Sequence, residues 1–468
     1  MSHQPTPTFA RSRGHRAAAA LAGAAVLLTA ALPAASAADD ADSDATSASD
    51  PLFGEADPQY DGVWRQSLAL LAQDAAGDAP AGEAVEWLLA QQGEDGSFLA
   101  SRADVSRPCD DVTAADSNAT AVAVQALAAL GGHDEAVASA LAWLTGVQNE
   151  DGGWSYNPGG ASDADSTGVV VGAFAAAGED PADVVRDGSS PFDALAALQL
   201  GCGADQEERG AFAWQPEPGG ELFPSDLATV DAVLASYGSG LLVDPESVTQ
   251  APVVPLDCEG DEDPADPEGS GATEGSGDTE DSQEAEDPEN PEATDEAALS
   301  PRLASASAGA ARLAGLLADG EQHLVTVLPG GEEQPDYATT ARAVIALSAG
   351  GHEEARQGPL DWLREHHDEW TGRADSPQSL AVLVLAAHAG GASPHDFGGS
   401  DLVEELNALG PAPEEAGSAD GTGGAGASDD GSGSGALPWV LGAGLALGLL
   451  IGVFLSLRGR RAKSDATP

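Results

Sequence analysis

Apolar residues recur along this chain in two helical patterns. In the first, Val137, Ala140, Leu141, Leu144 and Val147 fall three and four residues apart, so they paint one apolar stripe on an otherwise polar helix. In the second, a segment opens on Asp, Ser, Asn or Thr and is then apolar almost all round, as where Asp116 to Thr120 leads into Ala121–Leu127. Segments of the second kind lie near 62–73, 116–130, 163–178, 224–238, 336–350 and 375–390. Segments of the first kind lie between and after them, near 81–92, 134–148, 191–200, 301–318, 352–366 and 401–409. Capping side chains satisfy the orphan amides at the apolar starts, and Gly131, Gly178, Gly238, Gly350 and Gly390 are expected to stop those helices in a left-handed conformation. The apolar helices need burial on every side and the amphipathic ones on a single side. Twelve helices in strict alternation therefore predict an all-α fold, an (α/α)6 toroid with six parallel inner helices and six outer ones.

Composition places that body. The 468 residues carry 18 Lys plus Arg against 78 Asp plus Glu, a formal charge of −60, and 4% aromatic residues. Phosphate contacts need clustered Arg and Lys, so nucleic acid is excluded as a partner. Residues 1–37 read as a secretory signal peptide: Arg11, Arg13 and Arg16 precede an apolar run from Ala17 to Leu32 and the small-residue triplet ending at Ala37. Residues 436–457 carry no charge and are long enough to cross a membrane as one transmembrane helix, and the basic tail 458–468 would stay cytoplasmic. Residues 257–296 hold 18 acids and no base, which predicts a self-repelling disordered insertion between a first toroid part, 62–256, and a second, 297–410. An acidic disordered leader (38–61) and a flexible stalk (411–435) are read in the same way. The expected protein is a single-pass cell-membrane protein with an extracellular body.

The loops between helices repeat. Trp87, Leu88, Gln92, Asp95, Gly96 and Phe98 recur 56 positions later as Trp143, Leu144, Gln148, Asp151, Gly152 and Trp154, with looser copies at Leu198–Trp214 and Trp362–Gly372. The stretch Gln148-Asn-Glu-Asp-Gly-Gly-Trp154 resembles the QW-type loop of the prenyltransferase and squalene-oxidase repeat family, whose members build α/α toroids. The resemblance implies a structural task for Gln92, Phe98, Gln148 and Trp154: tying each outer helix to the next hairpin. That superfamily includes triterpene cyclases, protein prenyltransferases, cobalamin carriers and thioester-containing complement-like proteins, so the fold does not choose the function.

Each of those activities makes a demand on specific residues. Cyclases of the superfamily protonate their substrate with an Asp-x-Asp-Asp motif. Asp163-Ala-Asp165-Ser166 stands in the comparable place with Ser166 in the last acidic slot, so Asp165, with Asp163, is the one catalytic candidate, and helix capping is its other reading. Prenyltransferases hold zinc with Asp, Cys and His, an arrangement the three Cys do not make; His366-His367 points two ways from one helix, and no metal site is expected. Cys202 and Gln206 are similar to a thioester pair but stand four apart instead of three. A disulfide is the other reading: three Cys allow three pairings, of which Cys202 with Cys258, at the end of the first block, is favoured.

Parallel inner helices would gather Asp116, Asn118, Thr120, Asp165, Thr167, Asp226, Asp336, Tyr337, Thr339 and Asp375 at one rim. Such a ring is either a platform for a small ligand or a set of helix caps. The expected function is a non-catalytic, membrane-anchored extracellular binding protein. In its most concrete form it captures a vitamin-like molecule of the cobalamin type, as the resemblance to cobalamin carriers implies, for a membrane uptake transporter. The alternatives are a terpenoid cyclase-like enzyme acting on isoprenoid lipid and a structural cell-surface module.

Overall fold

The apolar and amphipathic segments all become helices. In chain order these are α1 (Pro58–Ala76), α2 (Gly82–Ala90), α3 (Ser117–Leu130), α4 (Asp134–Gly146), α5 (Ala164–Ala176) and α6 (Pro191–Ala197). They continue as α7 (Asp226–Ser236), α8 (Pro301–Asp319), α9 (Tyr337–Ala349), α10 (Glu353–His366), α11 (Pro377–Ala389) and α12 (Leu402–Asn407). The computed structural model describes residues 51–107, 115–258, 299–327 and 331–414, all within one compact unit. A short exposed hairpin, β1 (Val325–Val327) against β2 (Glu333–Pro335), precedes α9 and was not expected from the sequence. The calls for a signal peptide, a transmembrane helix and a basic tail, and nearly all of the insertion and the stalk, lie outside the described residues. No described helix is long and apolar enough to cross a membrane.

The odd-numbered helices pack in sequence, α1 on α3, α3 on α5, α5 on α7, α7 on α9 and α9 on α11, and α11 returns to α1. Each even-numbered helix lies against the odd one before it. The burial follows the two sequence patterns: α5, α9 and α11 are buried along nearly their whole length, whereas α4 buries only Ala140, Leu141 and Leu144.

Side chains with no bulk to spare hold this arrangement. Gln92 donates to the carbonyls of Gly96 and of Ala136 in α4, at 3.1 and 2.9 Å. Gln148 does the same for Gly152 and Val184, and Gln199 for Gly210 and Ser305 of α8. A second tie runs inward. Thr120 Oγ1 accepts from the backbone of Phe98 and donates to the Asp116 carbonyl, and Thr167, Thr229 and Thr340 repeat the acceptor contact with Trp154, Phe212 and Leu324. Phe98 and Trp154 are thereby fully buried, with Trp154 Nε1 donating to the Leu144 carbonyl at 2.8 Å. Gly152 shows why these loops require glycine: its φ is +88°, and a Cβ there would stand 2.2 Å from the Ser190 carbonyl oxygen.

Two expectations change, and one feature is new. Residues 51–61, read as the end of a disordered leader, belong to the body: Gln66 accepts from the Phe53 amide and donates to the Pro51 carbonyl, and Phe53 is fully buried against Gly410. The acids around Leu52-Phe53 hid an apolar pair from a reading based on composition. Gly350 and Gly390 keep right-handed backbone, and the left-handed residues are their successors, Gly351 and Gly391. After α7 the chain turns inward, so Gly240 packs between Gly172 of α5 and Gln125 of α3, whose Oε1 accepts from the Leu241 amide at 2.8 Å.

Cys202 and Cys258 form a disulfide across 56 positions, with Cα atoms 5.5 Å apart. It closes the loop that contains α7 and removes loop-closure entropy from the unfolded chain. Replacing Cys258 with Ser should lower unfolding stability by about 2–4 kcal/mol in denaturant titration; an unchanged midpoint would mean that the bridge constrains nothing. Gly152→Ala should cost about 3 kcal/mol or more, against about 1 kcal/mol for Gly159→Ala, which has a similar φ of +87° but open space around it. Equal losses by thermal unfolding would contradict the close approach at Gly152.

Candidate functional site

The first turns of the odd-numbered helices are where polar groups meet the apolar core, and two adjoining cavities open there. The first, about 230 Å³, is lined by Tyr60, Asp61 and Trp64 of α1, Asp116, Asn118 and Ala119 at the start of α3, Tyr156 of the loop before α5, Asp165 and Val169 of α5, Leu227 and Asp231 of α7 and Arg342 of α9. The second, about 280 Å³, shares Trp64 and Arg342 and adds Trp370, Gln378 and Ser379, with Leu241 also in its lining. The two together form the mouth of the helix cycle.

Two of the expected rim residues, Asp116 and Asp336, prove to be caps. Asp116 accepts from the Ala119 amide at 2.9 Å and Asp336 from the Thr339 amide at 2.9 Å, and Thr339 donates its hydroxyl to Asp336 at 2.8 Å. Thr120 and Thr167 are consumed by the loop ties described above. Asp226 lies one residue inside α7, which Ser225 caps, and it does not line the mouth. Tyr337 is buried and stacks on Trp370 at 5.4 Å between ring centroids. Asp375 is exposed, and Ser376 caps α11.

Asp165 is different, and here one reading is corrected. The cap of α5 is Asp163, whose carboxylate accepts from the Ser166 amide at 2.7 Å and from the Ser166 hydroxyl at 2.9 Å. Asp165 therefore caps nothing. It lies in the first turn, and its buried Oδ1 has no hydrogen-bond partner. Burial, then the neighbouring Asp231, push its carboxyl well above the ordinary carboxylate range, and Arg342 only partly offsets them.

Asp231 and Arg342 were not anticipated from the sequence. Asp231 Oδ1 receives Arg342 Nη2 at 2.5 Å, linking α7 to α9, while Asp231 Oδ2 is buried without a partner. Burial raises the Asp231 carboxyl too, against the lowering effect of Arg342. One acid inside Leu227–Leu234 and one base inside Ala338–Leu347 were the available signal, since each interrupts an apolar run. Asn118 supplies a third buried acceptor with no partner, its Oδ1. Beside the acids, Tyr60, Trp64 and Tyr156 give the first cavity aromatic walls. Tyr156 is half-exposed, and its hydroxyl is pushed up by burial and by the Asp116 carboxylate.

The remaining candidates resolve simply. His366 stacks on Trp362 at 4.8 Å while its neighbour His367 meets Phe397 at 5.5 Å, so the two rings serve different contacts. Among the described residues no group of three or more His, Cys, Asp and Glu is placed to hold a metal ion. With its sulfur in the disulfide, Cys202 has no thiol to form a thioester with Gln206.

No family model matches the chain, and no curated protein matches it either. Among solved structures, a crystal structure of a protein from Actinoplanes shares 16% identity, covering 69% of this chain and all of the other, at a TM-score of 0.29. Similarity at that level carries no inference.

The protonation of Asp165 has a consequence for stability. Its native carboxyl binds a proton more tightly than in the unfolded chain, so its contribution is most favourable below the ordinary carboxylate range and is lost as pH rises through the raised value. Asp165→Asn should therefore be more stable than the wild type at pH 8, by on the order of 1 kcal/mol, and show no gain at pH 3. A variant less stable at pH 8 would mean that the carboxylate is held by a partner and is not merely tolerated.

Proposed function

We propose that this protein is a non-catalytic binding protein whose ligand enters the mouth. The observation that carries this reading is that three residues lining one cavity bear buried side-chain oxygens left without partners once the Arg342 ion pair is formed: Asn118 Oδ1, Asp165 Oδ1 and Asp231 Oδ2. Leaving a buried acceptor unsatisfied costs about 1–3 kcal/mol each. A ligand bearing N–H or O–H donors repays that cost on binding, whereas a purely structural module gains nothing from it. The closed packing order of the odd-numbered helices, with Gln92, Phe98, Gln148 and Trp154 in repeated ties, supports an (α/α)6 toroid of the QW-repeat type. With a signal peptide before it and a stalk and transmembrane helix after it, the body would stand outside the cell and deliver its ligand to a membrane transporter. A corrin is larger than a cavity of about 230 Å³, so a cobalamin-type vitamin would rest on the rim with one carboxamide arm inserted.

A second reading draws on one specific observation. Asp165 holds its proton beside Trp64 and Tyr156, as the acid of a terpenoid cyclase-like enzyme must. Its weakness is Ser166, which stands where such an enzyme needs a further acid and instead donates to Asp163.

Native mass spectrometry of the full-length protein purified from a producing host should show a retained small molecule that Asn118→Leu loses. A clean apo mass, together with no thermal shift from cobalamins or other vitamins, would contradict the binding reading. Conversion of a polyprene to a cyclic product, abolished by Asp165→Asn, would establish the second.

A further inference from the structure

Charge at the mouth narrows the chemistry of what it takes, given that the mouth is a ligand site. The facing groups come from every surrounding helix. Asp61 of α1 is paired with Arg65 at 2.8 Å, and Asp231 of α7 with Arg342 of α9 at 2.5 Å. Asp116 is occupied as the cap of α3 and Asp163 as the cap of α5, each held by backbone amides. Asp165 forms neither an ion pair nor a cap, Arg342 being bound to Asp231. Ionised, it would leave one uncompensated negative charge in a site where Asp231 is 3% exposed.

With Asp231 Oδ1 taken by Arg342, the side-chain atoms of the cavity residues that stay buried without a partner are all acceptors, and they number three. A primary ammonium has three N–H donors and one positive charge, and it matches both counts. An alcohol offers one donor, and a carboxamide two with no charge. The wall of the cavity supplies what the rest of such a ligand needs: Trp64 and Tyr156 line it beside the carboxylates, and aromatic faces attract both an ammonium and an apolar substituent. An anion is disfavoured, because Arg342, the cavity's one basic residue, is already bound to Asp231.

We propose that the mouth binds an organic primary ammonium, whose three N–H groups meet Asn118 Oδ1, Asp165 Oδ1 and Asp231 Oδ2 and whose apolar substituent lies against Trp64 and Tyr156. The raised carboxyl of Asp165 fits this assignment: in the empty protein it stays neutral, and the arriving cation ionises it.

Titration calorimetry of the full-length protein with phenethylamine and with 2-phenylethanol, its uncharged counterpart, tests the assignment. The amine should bind at least about tenfold more tightly than the alcohol. Asp165→Asn and Asn118→Leu should each weaken amine binding about tenfold while leaving the alcohol little changed, and Asp226→Asn, outside the mouth, should change neither. Thermal unfolding of each variant confirms that the site is compared in folded protein. Equal affinity for amine and alcohol, or full amine affinity in Asp165→Asn, would overturn the assignment. If the retained small molecule proves to be a neutral carboxamide or an anion, the ammonium is wrong and the binding function stands; if nothing is retained and neither probe binds, both fall.

Discussion

Helices that are apolar on every face can persist in water only if they cover one another completely, and for a chain built of six such helices this means that the last must return to the first. The packing of α11 on α1 is that return. It is reinforced by long-range contacts: Gln73 donates to Asn407 at 2.7 Å, Asn407 to Asp78 at 3.0 Å, and the Gly54 amide to the Leu409 carbonyl at 2.7 Å. Phe53 fills the space that Gly410 leaves. Without this seam, Leu68 to Ala72 and Leu380 to Ala387, all buried in the folded body, would face water. The mouth also depends on it, since Trp64 and Gln378 line the second cavity from opposite sides of the seam.

Closure determines where the chemistry sits. Helix starts carry amide donors with no helical partner, and six of them near one opening would attract any acid available. Most of the acids and hydroxyls there are consumed in satisfying those donors: Asp116, Asp163, Ser225, Asp336 and Ser376 each accept from the third residue on. A functional group is then whatever remains after capping. Asp165 remains because Asp163 reached the amide first, and Asp231 Oδ2 remains because Arg342 takes only its other oxygen. The segment after α7, with Leu241 tied to Gln125, lines the deeper end and keeps the cavity small.

How legible this was from the sequence depends on the kind of information each feature carries. Periodicity located all twelve helices, because burial on one face or on all faces writes itself into every turn. The repeat marked Gln92 and Gln148 as equivalent, and their tying role was implied by the resemblance to the QW-type loop. The cap of α5 was not: Asp163 and Asp165 stand two apart, and only the backbone shows which one bends back to the amides. Asp231 and Arg342 were missed because their partnership spans 111 positions and two different helices. Phe53 was missed because its acidic neighbours dominate the local composition. Patterns repeated along the chain were visible, whereas single pairings made by closure were not.

In the proposed capture, the Asp165 carboxyl, raised by burial and by Asp231, gives up its proton to a cation that meets the unpartnered acceptors around it. Calorimetry of phenethylamine binding near about pH 6, in buffers of different ionisation enthalpy, measures whether a proton leaves when the ligand arrives. Asp165 should release up to one proton on binding, and Asp165→Asn should release none. Binding heats that do not depend on the buffer, with wild-type protein that binds the amine, would show that Asp165 was already ionised or plays no part, and the account of the mouth would be wrong.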